Sequence, residues 1–388
     1  MLTWILDLSI IVVLCAYLGA LAQKRYNFTL PRPIIVFVLI GCCVLVRAVA
    51  DRYFMKNPGI IRKSIVPPDI NRVRSRFPVF SSSEEHKNYI ASFRKDLKKV
   101  LFIDDIPKKG YPTHSLIESR ELGGIIREKL VLSVDSRVDL SAYLFRPGDT
   151  SKKYPGVIVF HGHGVGKENT AIDQDSYERA LALYLAQNGY VVLAYDNRGF
   201  NGSDGRLGHK EAARLGILSG NPHAGDLVRD GLMAIEWFRA LEYIDDSAVS
   251  VAGVSMGGWL SLFVSALSDK VSAAVIAGAI ASYSDEFVKT SHCLCAFIPG
   301  ILRIAEISDI AASIAPRPLL VIHGENDDVF PVARVDQVVS DILAPMYALY
   351  NKSENFKYFK HSGDHVMHNQ AALNWFNAHV SVSRDDPL

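Results

Sequence analysis

The residues Val249-Ser250-Val251-Ala252-Gly253-Val254-Ser255-Met256-Gly257-Gly258-Trp259 are the strongest indication of the fold. They begin as a short apolar run typical of a buried strand, pass through a G-x-S-x-G pattern and continue into a helical period of apolar residues. A serine lifted onto a sharp strand-to-helix turn needs neighbours without a Cβ, because strand and helix approach each other closely there. The pattern predicts Ser255 as a nucleophile, and an ordinary glycine-rich turn is the alternative.

Short apolar runs alternate with helical periods along the rest of the chain. Strands are predicted at 129–132, 141–145, 156–160, 190–195, 248–252, 272–277, 319–322 and 356–359. Helices are predicted at 84–101, 177–188, 227–241, 256–267, 332–343 and 370–379. Most strand runs are apolar without alternation, as in strands covered on both faces. The sequence therefore predicts an α/β fold with a mostly parallel central sheet and helices on both faces, with ligands at the carboxyl ends of the strands.

Two later loops hold partners for Ser255. The strand at 319–322 leads into His323-Gly324-Glu325-Asn326-Asp327-Asp328, and the last strand leads into His361-Ser362-Gly363-Asp364-His365. A nucleophilic serine needs a base, and the base needs a carboxylate that orients it. We predict Asp327 as the orienting carboxylate and His365 as the base.

The same loops contain other candidates. Asp328 and Glu325 are rivals of Asp327, with solvated loop charge or helix capping as their ordinary roles. His361 is expected to end the last strand, and His368 is expected to begin the last helix. A metal site is the alternative to a triad here, and its ligands would be His361, Asp364 and His365.

The turn after strand 156–160 reads His161-Gly162-His163-Gly164-Val165-Gly166. A glycine-rich turn at this place supplies one backbone N–H group to an oxyanion, and the residue after the nucleophile supplies another. We predict the main-chain N–H groups of His163 and Met256 as the oxyanion hole. Backbone geometry explains these glycines better than a metal cluster of His161, His163 and Glu168 would, so neither a metal nor a cofactor is expected.

Residues 88–380 resemble α/β-hydrolases of the dienelactone-hydrolase and acetyl-xylan-esterase-like branch. The resemblance is carried by His161–Gly164, by the D-x-R-G turn Asp196–Gly199, by the elbow Gly253–Gly257 and by Ala315-Pro316-Arg317-Pro318-Leu319-Leu320. It implies the α/β-hydrolase fold, ester hydrolysis without a cofactor, and a triad of Ser255, Asp327 and His365.

The chain departs from this branch at positions that concern the substrate. Acetyl xylan esterases tend to carry glutamine where Phe200 stands and glutamate where Val366 stands, and a dienelactone hydrolase proper has a cysteine nucleophile. We expect a serine hydrolase that cleaves carboxylic esters through an acyl-enzyme. The alternatives are a serine peptidase of prolyl-oligopeptidase type, whose elbow resembles G-V-S-M-G-G-W, and a non-catalytic membrane-anchored protein of the same fold.

The N-terminal fifty residues differ from the rest of the chain. Residues 3–22 and 33–46 are apolar runs, and the first has the ~20-residue length that crosses a bilayer. We predict a membrane anchor at 1–50, as one helix or a helical hairpin, a linker at 51–87 and a catalytic domain at 88–388. A cleaved signal peptide ending at Ala20-Leu21-Ala22 is the alternative.

The predicted anchor bears on location and substrate. Basic residues after the second apolar run slightly favour a catalytic domain on the cytoplasmic side. Membrane attachment suggests a lipid-derived ester as the small-molecule substrate. An apolar acyl pocket is expected from five side chains between the nucleophile and the acid: Phe287, Phe297, Ile298, Ile301 and Leu302.

Composition excludes one class of partner and leaves another question open. Lys and Arg total 42 against 41 Asp and Glu, so there is no basic surplus for nucleic acid. The five cysteines form neither a disulfide framework nor the spacing of a zinc ribbon. Cys293 and Cys295 are too close in sequence for an ordinary structural bridge, and their redox state is not indicated. Protein partners are not indicated either.

Overall fold

A nine-stranded sheet forms the centre of this computed structural model, which describes residues 77–103, 112–135, 138–201, 207–288 and 292–380. Its strands, in chain order, are β1 Thr113–Leu122, β2 Ile125–Asp135, β3 Val138–Pro147, β4 Tyr154–Phe160, β5 Val191–Tyr195, β6 Ile244–Val254, β7 Ala274–Ala277, β8 Leu319–Gly324 and β9 Phe356–His361. Their spatial order is β1-β2-β3-β5-β4-β6-β7-β8-β9. Strands β5, β4, β6, β7, β8 and β9, which are neighbours in this order, run parallel to one another. Strands β1, β2 and β3 pair antiparallel, and β3 pairs antiparallel with β5. The predicted mostly parallel sheet is confirmed.

Ten α-helices surround this sheet within the described residues. They are α1 Ser83–Val100, α2 Lys167–Ala171, α3 Leu181–Gln187, α4 His209–Ser219, α5 His223–Arg239, α6 Met256–Leu267, α7 Ile307–Ala312, α8 Val332–Val338, α9 Ala344–Leu349 and α10 Asn369–His379. Successive side chains of a strand point to opposite faces, so β4 sends Val157 and Val159 into one apolar cluster and Ile158 and Phe160 into another. Helices α3 and α10 cover the first cluster, and α1, α5 and α6 cover the second. Helices on both faces were predicted, and this is confirmed.

Helix α1 extends the folded unit towards the N-terminus. Its N-cap Ser82 accepts a hydrogen bond from the Glu85 N–H at 3.2 Å, and the buried face carries Phe93. The Phe77 ring packs edge-on against Phe93 with centroids 5.0 Å apart. Residues 77–87 therefore belong to the folded unit, whereas the sequence placed them in a linker.

The predicted membrane anchor at 1–50 lies outside the described residues. So does the part of the predicted linker that covers 51–76. Among the described residues, no helix is both long enough and apolar enough to cross a membrane. The predicted anchor stays a prediction.

Candidate active site

Ser255 lies between β6 and α6, at the N-cap of the helix. Its φ of 59° and ψ of −124° lie outside the regions that L-residues ordinarily occupy. The Ser255 N–H donates to the Ala277 carbonyl at 3.0 Å, which fixes the turn against β7. A Cβ at Gly253 would collide with the backbone of Gly257, and one at Gly257 would collide with the Phe160 carbonyl. The glycines of the motif therefore permit the close strand–helix contact that holds a strained serine.

Asp327 and His365 form a hydrogen-bonded pair at the neighbouring strand ends. His365 Nδ1 lies 2.7 Å from Asp327 Oδ2, and the Asp327 side chain is 1% exposed. Asp327 Oδ1 accepts hydrogen bonds from the N–H groups of Val329 and Phe330, both at 2.9 Å. Burial alone would raise the pKa of Asp327, but the hydrogen bond and charge of His365 and the Phe330 N–H outweigh it and hold the pKa below its usual 3.8. The carboxylate is therefore ionised and aimed at the imidazole.

The other ring nitrogen of His365 faces away from Asp327. Nε2 is buried and has no hydrogen-bond partner among the described residues. Two aromatic rings lie next to this imidazole. The Tyr177 and Phe330 rings each have centroids 5.8 Å from that of His365, and Phe330 lines the same cavity as Ser255.

The competing carboxylates and histidines have other places. Glu325 and Asp328 are exposed. His361 ends β9 as predicted, and its Nδ1 accepts from the Gly363 N–H at 3.1 Å. His368 caps α10 as predicted, accepting from the Ala371 N–H at 3.2 Å. The one group of metal-ligating side chains that converges among the described residues is a different set: His163, Cys293 and Cys295.

Gly278 gives His365 its space. This residue follows β7 and has a φ of +50°. A Cβ built there would lie 2.7 Å from His365 Cε1 and 2.9 Å from Nδ1, closer than real Cβ contacts come. No sequence motif indicated this glycine, because its requirement arises from a side chain almost ninety positions away along the chain.

Tyr177 and Glu178 hold the turn that carries His163, and sequence reasoning missed both. The Tyr177 hydroxyl donates to the His163 carbonyl at 2.8 Å. Glu178 Oε1 accepts from the Gly162 N–H at 2.9 Å. Burial raises the pKa of Glu178 to about 8, although the hydrogen bond from the Gly162 N–H opposes the rise. The carboxyl is therefore neutral over much of the physiological range and acts as a buried support for the turn.

A buried ion pair joins that turn to the D-x-R-G turn after β5. Lys167 Nζ lies 2.7 Å from Asp196 Oδ2, and the Lys167 N–H donates to Asp196 Oδ1 at 2.8 Å. His161 accepts from the Asn197 N–H at 2.9 Å, and burial lowers its pKa to about 4. His161 and Asp196 are therefore parts of the scaffold, and the predicted oxyanion donors His163 and Met256 lie on fixed elements.

A cavity of about 240 Å³ opens beside Ser255. Its lining is mostly apolar and aromatic: His163, Ser255, Met256, Trp259, Ala279, Phe287, His292, Cys293, Ala296, Val329 and Phe330. Of the side chains predicted to line an acyl pocket, Phe287 lies here. Ile298 and Ile301 are buried in the main core, and Phe297 and Leu302 pack against that core.

Cys293 lines this cavity, and the buried Cys295 lies two residues further along, in the single helical turn Leu294–Ala296. Both are free thiols. The interaction of the two neighbouring thiols lowers the pKa of Cys293 and raises the pKa of Cys295. His163 Nε2 lies 3.2 Å from Cys295 Sγ.

This architecture and elbow occur in known proteins. The model of the X-Pro dipeptidyl-peptidase (S15 family) matches residues 135–297, which include Ser255 and end before Asp327. A "putative acetyl xylan esterase" from Bacteroides fragilis superposes with a TM-score of 0.63 at 17% identity, over 75% of this chain and 80% of that chain. The two chains therefore share an α/β fold with a mostly parallel central sheet. The fold expected from the sequence is thereby confirmed.

Two curated relatives are similar to this chain over different lengths. "Putative hydrolase YtaP" of Bacillus subtilis is 26% identical over 285 residues, which are 70% of this chain and 94% of that protein. Dipeptidyl-peptidase 5 of Porphyromonas gingivalis is 31% identical over 131 residues, which are 34% of this chain and 17% of the peptidase. The names of these similar proteins thus describe an esterase, a hydrolase of unspecified bond and a peptidase.

Proposed function

We propose that the protein is a serine hydrolase that cleaves carboxylic esters through an acyl-enzyme on Ser255. The observation that carries the proposal is the pair of Asp327 and His365, 2.7 Å apart, with the second imidazole nitrogen buried and unpartnered among the described residues. A buried polar atom without a partner calls for an explanation, and a role in catalysis is one such explanation. Ser255, on a strained turn in the adjoining cavity, is the group that this nitrogen would serve.

The chemistry follows from these positions. Ser255 Oγ attacks the ester carbonyl, and His365 Nε2 takes its proton. Asp327 holds the proton on Nδ1 and stabilises the imidazolium. The main-chain N–H groups of Met256 and His163 bind the oxyanion, helped by the positive end of helix α6. The imidazolium protonates the departing alcohol, and water activated by His365 then releases the acid.

Ser255→Ala tests this proposal. The expected result is loss of labelling by a fluorophosphonate and a fall of several orders of magnitude in hydrolysis of p-nitrophenyl acetate, as removal of a triad serine produces. Ser261→Ala is the control, because Ser261 is a buried serine in the same helix whose hydroxyl donates to Gly257 within the helix. Undiminished activity in Ser255→Ala would refute the proposal.

The cavity favours a short acyl group. Its volume of about 240 Å³ lies below the ~300–1,000 Å³ of pockets that enclose drug-sized ligands. We expect turnover to be highest from acetyl to butyryl esters and to fall for longer chains. A lysolipid would have to leave its chain outside this cavity, so maximal turnover of long-chain esters would support the lipid-derived substrate instead.

A peptidase is the second candidate, because the S15 model matches residues 135–297, which include the elbow, and a dipeptidyl-peptidase is similar to part of the chain. Release of dipeptides requires a partner for the free α-amino group of the substrate, and a carboxylate is the usual one. The described side chains that line the cavity include no carboxylate. We therefore expect dipeptidyl p-nitroanilides to be cleaved far more slowly than acetyl esters, and the reverse order would favour the peptidase.

Attachment to a membrane is proposed on the two apolar runs at 3–22 and 33–46. The expected result is that the full chain resists extraction from membranes by carbonate and dissolves in detergent. Protease protection of the catalytic domain in sealed vesicles would then decide its side, with the cytoplasmic side expected. Quantitative release by carbonate would contradict the anchor.

A further inference from the structure

Three metal-ligating side chains converge beside the Ser255 cavity, and two of them, His163 and Cys293, line it. Their ligand atoms are His163 Nε2, Cys293 Sγ and Cys295 Sγ, and all lie within 4.8 Å of one another. The closest measured pair, His163 Nε2 and Cys295 Sγ, is 3.2 Å apart. These residues come from two segments more than a hundred positions apart, so the fold and not the local sequence assembles the group.

The spacing suits a tetrahedral ion. Zn–S bonds of about 2.3 Å and Zn–N bonds of about 2.0 Å place tetrahedral ligand atoms about 3.5–3.8 Å apart. The three atoms therefore reach this geometry with small side-chain adjustments. Two thiolates and one imidazole are ligands that Zn²⁺ prefers, and three protein ligands leave a fourth position for water or another group.

The surroundings give the ligands fixed positions. Cys295 is fully buried, and its Sγ lies 3.8 Å from Met256 Sδ at the start of helix α6. The carbonyl of His163 accepts the Tyr177 hydroxyl, which fixes the backbone that carries the imidazole. His163 and Cys293 line the cavity itself, so an ion held between them would lie at its wall.

We propose that His163, Cys293 and Cys295 bind Zn²⁺ at the wall of the Ser255 cavity, and that the bound ion inhibits hydrolysis. Inhibition rests on the proposed function and has a steric cause. The ion and its water occupy part of a cavity of about 240 Å³ that the acyl group needs. The ion also ties the His163 imidazole to the cysteines, next to the main-chain N–H that serves as an oxyanion donor.

The binding test uses the full-length chain in mild detergent, with thiols kept reduced and metal removed by a chelator. Zn²⁺ affinity is measured by competition with a chromophoric chelator, and Co²⁺ replaces Zn²⁺ to report the ligands. We expect one ion per chain and the intense charge-transfer absorption of a cobalt–thiolate bond. Absence of the thiolate absorption in the wild-type protein would overturn the site, whether or not any variant folds.

Two variants locate the ligands. Cys295→Ser removes a fully buried ligand, and Cys293→Ser is the second variant because its side chain is only partly buried and tolerates the change better. Each should weaken Zn²⁺ binding by at least about 100-fold, since even partners behind the ligands are worth ~10–100-fold. The control replaces the cysteines outside the site, by Cys15→Ser, Cys42→Ser and Cys43→Ser together, and should bind as tightly as the wild type. Wild-type affinity in both site variants, or lost affinity in the control, would overturn the proposal.

Kinetics separate the ion site from its effect. Zn²⁺ should raise the apparent KM for p-nitrophenyl acetate with little change in kcat, and each variant is compared with its own metal-free rate. A cobalt–thiolate signature without any effect on KM would leave the site standing and overturn the inhibition. The same signature in a chain that shows no hydrolysis would leave the site standing and refute the proposed function.

Discussion

Asp327 receives hydrogen bonds from His365 and from two backbone N–H groups, and its pKa is held below the usual value. An asparagine in its place would present an amide that cannot orient the same imidazole tautomer. Asp327→Asn should therefore lower kcat by about 10⁴-fold, as loss of the orienting carboxylate does in a serine protease. The rate is measured on p-nitrophenyl acetate, and circular dichroism checks the fold.

Asp328→Asn is the matched control for this change. Asp328 is adjacent in sequence and exposed, so its variant should keep the wild-type rate. Equal losses in both variants would contradict the role of Asp327, because they would point to a general effect of charge in the loop.

A second prediction for a single residue concerns Gly278. Gly278→Ala should reduce kcat sharply, because the new Cβ would press on Cε1 and Nδ1 of His365 and displace the base from Asp327. Gly300→Ala is the control, since Gly300 also has a positive φ of +81° but has no atom within 4 Å of its Cβ position. The control should lose about 1–2 kcal/mol of stability and keep its kcat. An unchanged kcat in Gly278→Ala would contradict the crowding.

At the scale of elements, Glu178 links the start of helix α3 to the turn after β4 through the Gly162 N–H. Its pKa in the folded protein is raised from 4.5 to about 8 by burial. The unfolded chain releases this proton more readily, so Glu178 contributes stability at low pH that is lost as pH rises through about 8. Thermal unfolding of the wild type should accordingly occur at lower temperature at about pH 9 than at about pH 6.

Glu178→Gln keeps an acceptor for the Gly162 N–H without the proton. This variant should lose much of the decline in Tm with rising pH, as measured by calorimetry across that range. Glu325→Gln, at an exposed glutamate, should decline like the wild type. A Glu178→Gln variant with the full wild-type slope would show that another group causes it.

The sequence predicts the strands and helices of this protein where burial produces a regular pattern of apolar residues. The eight predicted strands correspond to β2 through β9, because strands covered on both faces read as continuous apolar runs. Strand β1, Thr113–Leu122, was not predicted because nearly all its residues are exposed and its sequence does not alternate. Helices α2, α4, α7 and α9 were also missed, since α2, α7 and α9 are very short and α4 buries only Ala213 and Gly216.

The residues of the candidate site also differ in how far the sequence predicts them. Ser255, Asp327 and His365 were selected from motif, strand end and chain order, and their catalytic roles stay predictions. The rivals Glu325 and Asp328 could be separated from Asp327 only by exposure, which three-dimensional packing decides. Tyr177, Gly278 and the group of His163, Cys293 and Cys295 depend on contacts between distant segments, for which the sequence carries no local pattern.

At the scale of the whole molecule, helix α1 connects the beginning of the folded unit to the C-terminal ends of helices α6 and α9. His86 is fully buried, and its Nδ1 lies 2.6 Å from the Tyr350 hydroxyl. Arg94 Nε donates to the Ala266 carbonyl at 2.8 Å at the end of helix α6. Burial, with the charge of Arg94 adding to it, lowers the pKa of His86 to about 4.

Because of His86, the stability of the folded protein is expected to fall in acid. Its folded pKa is depressed, so its contribution to stability is present above 6.5 and is lost as pH falls towards about 4. His86→Gln should reduce the fall in Tm over this range. Some acid sensitivity should persist, because buried His161 has a pKa of about 4 as well. His114→Gln, at an exposed histidine, should follow the wild type, and a wild-type slope in His86→Gln would contradict the assignment.

The chain between β7 and β8 supplies much of the cavity wall, including Phe287, His292, Cys293 and Ala296, and none of the three proposed catalytic side chains. Ser255, Asp327 and His365 instead follow strands β6, β8 and β9. Under the proposed function, selectivity for the acyl group and reactivity are thus encoded in separate stretches of the gene. A library of variants confined to codons 279–306 should yield enzymes with altered acyl preference that still react with a fluorophosphonate, which makes this segment the place to begin directed evolution.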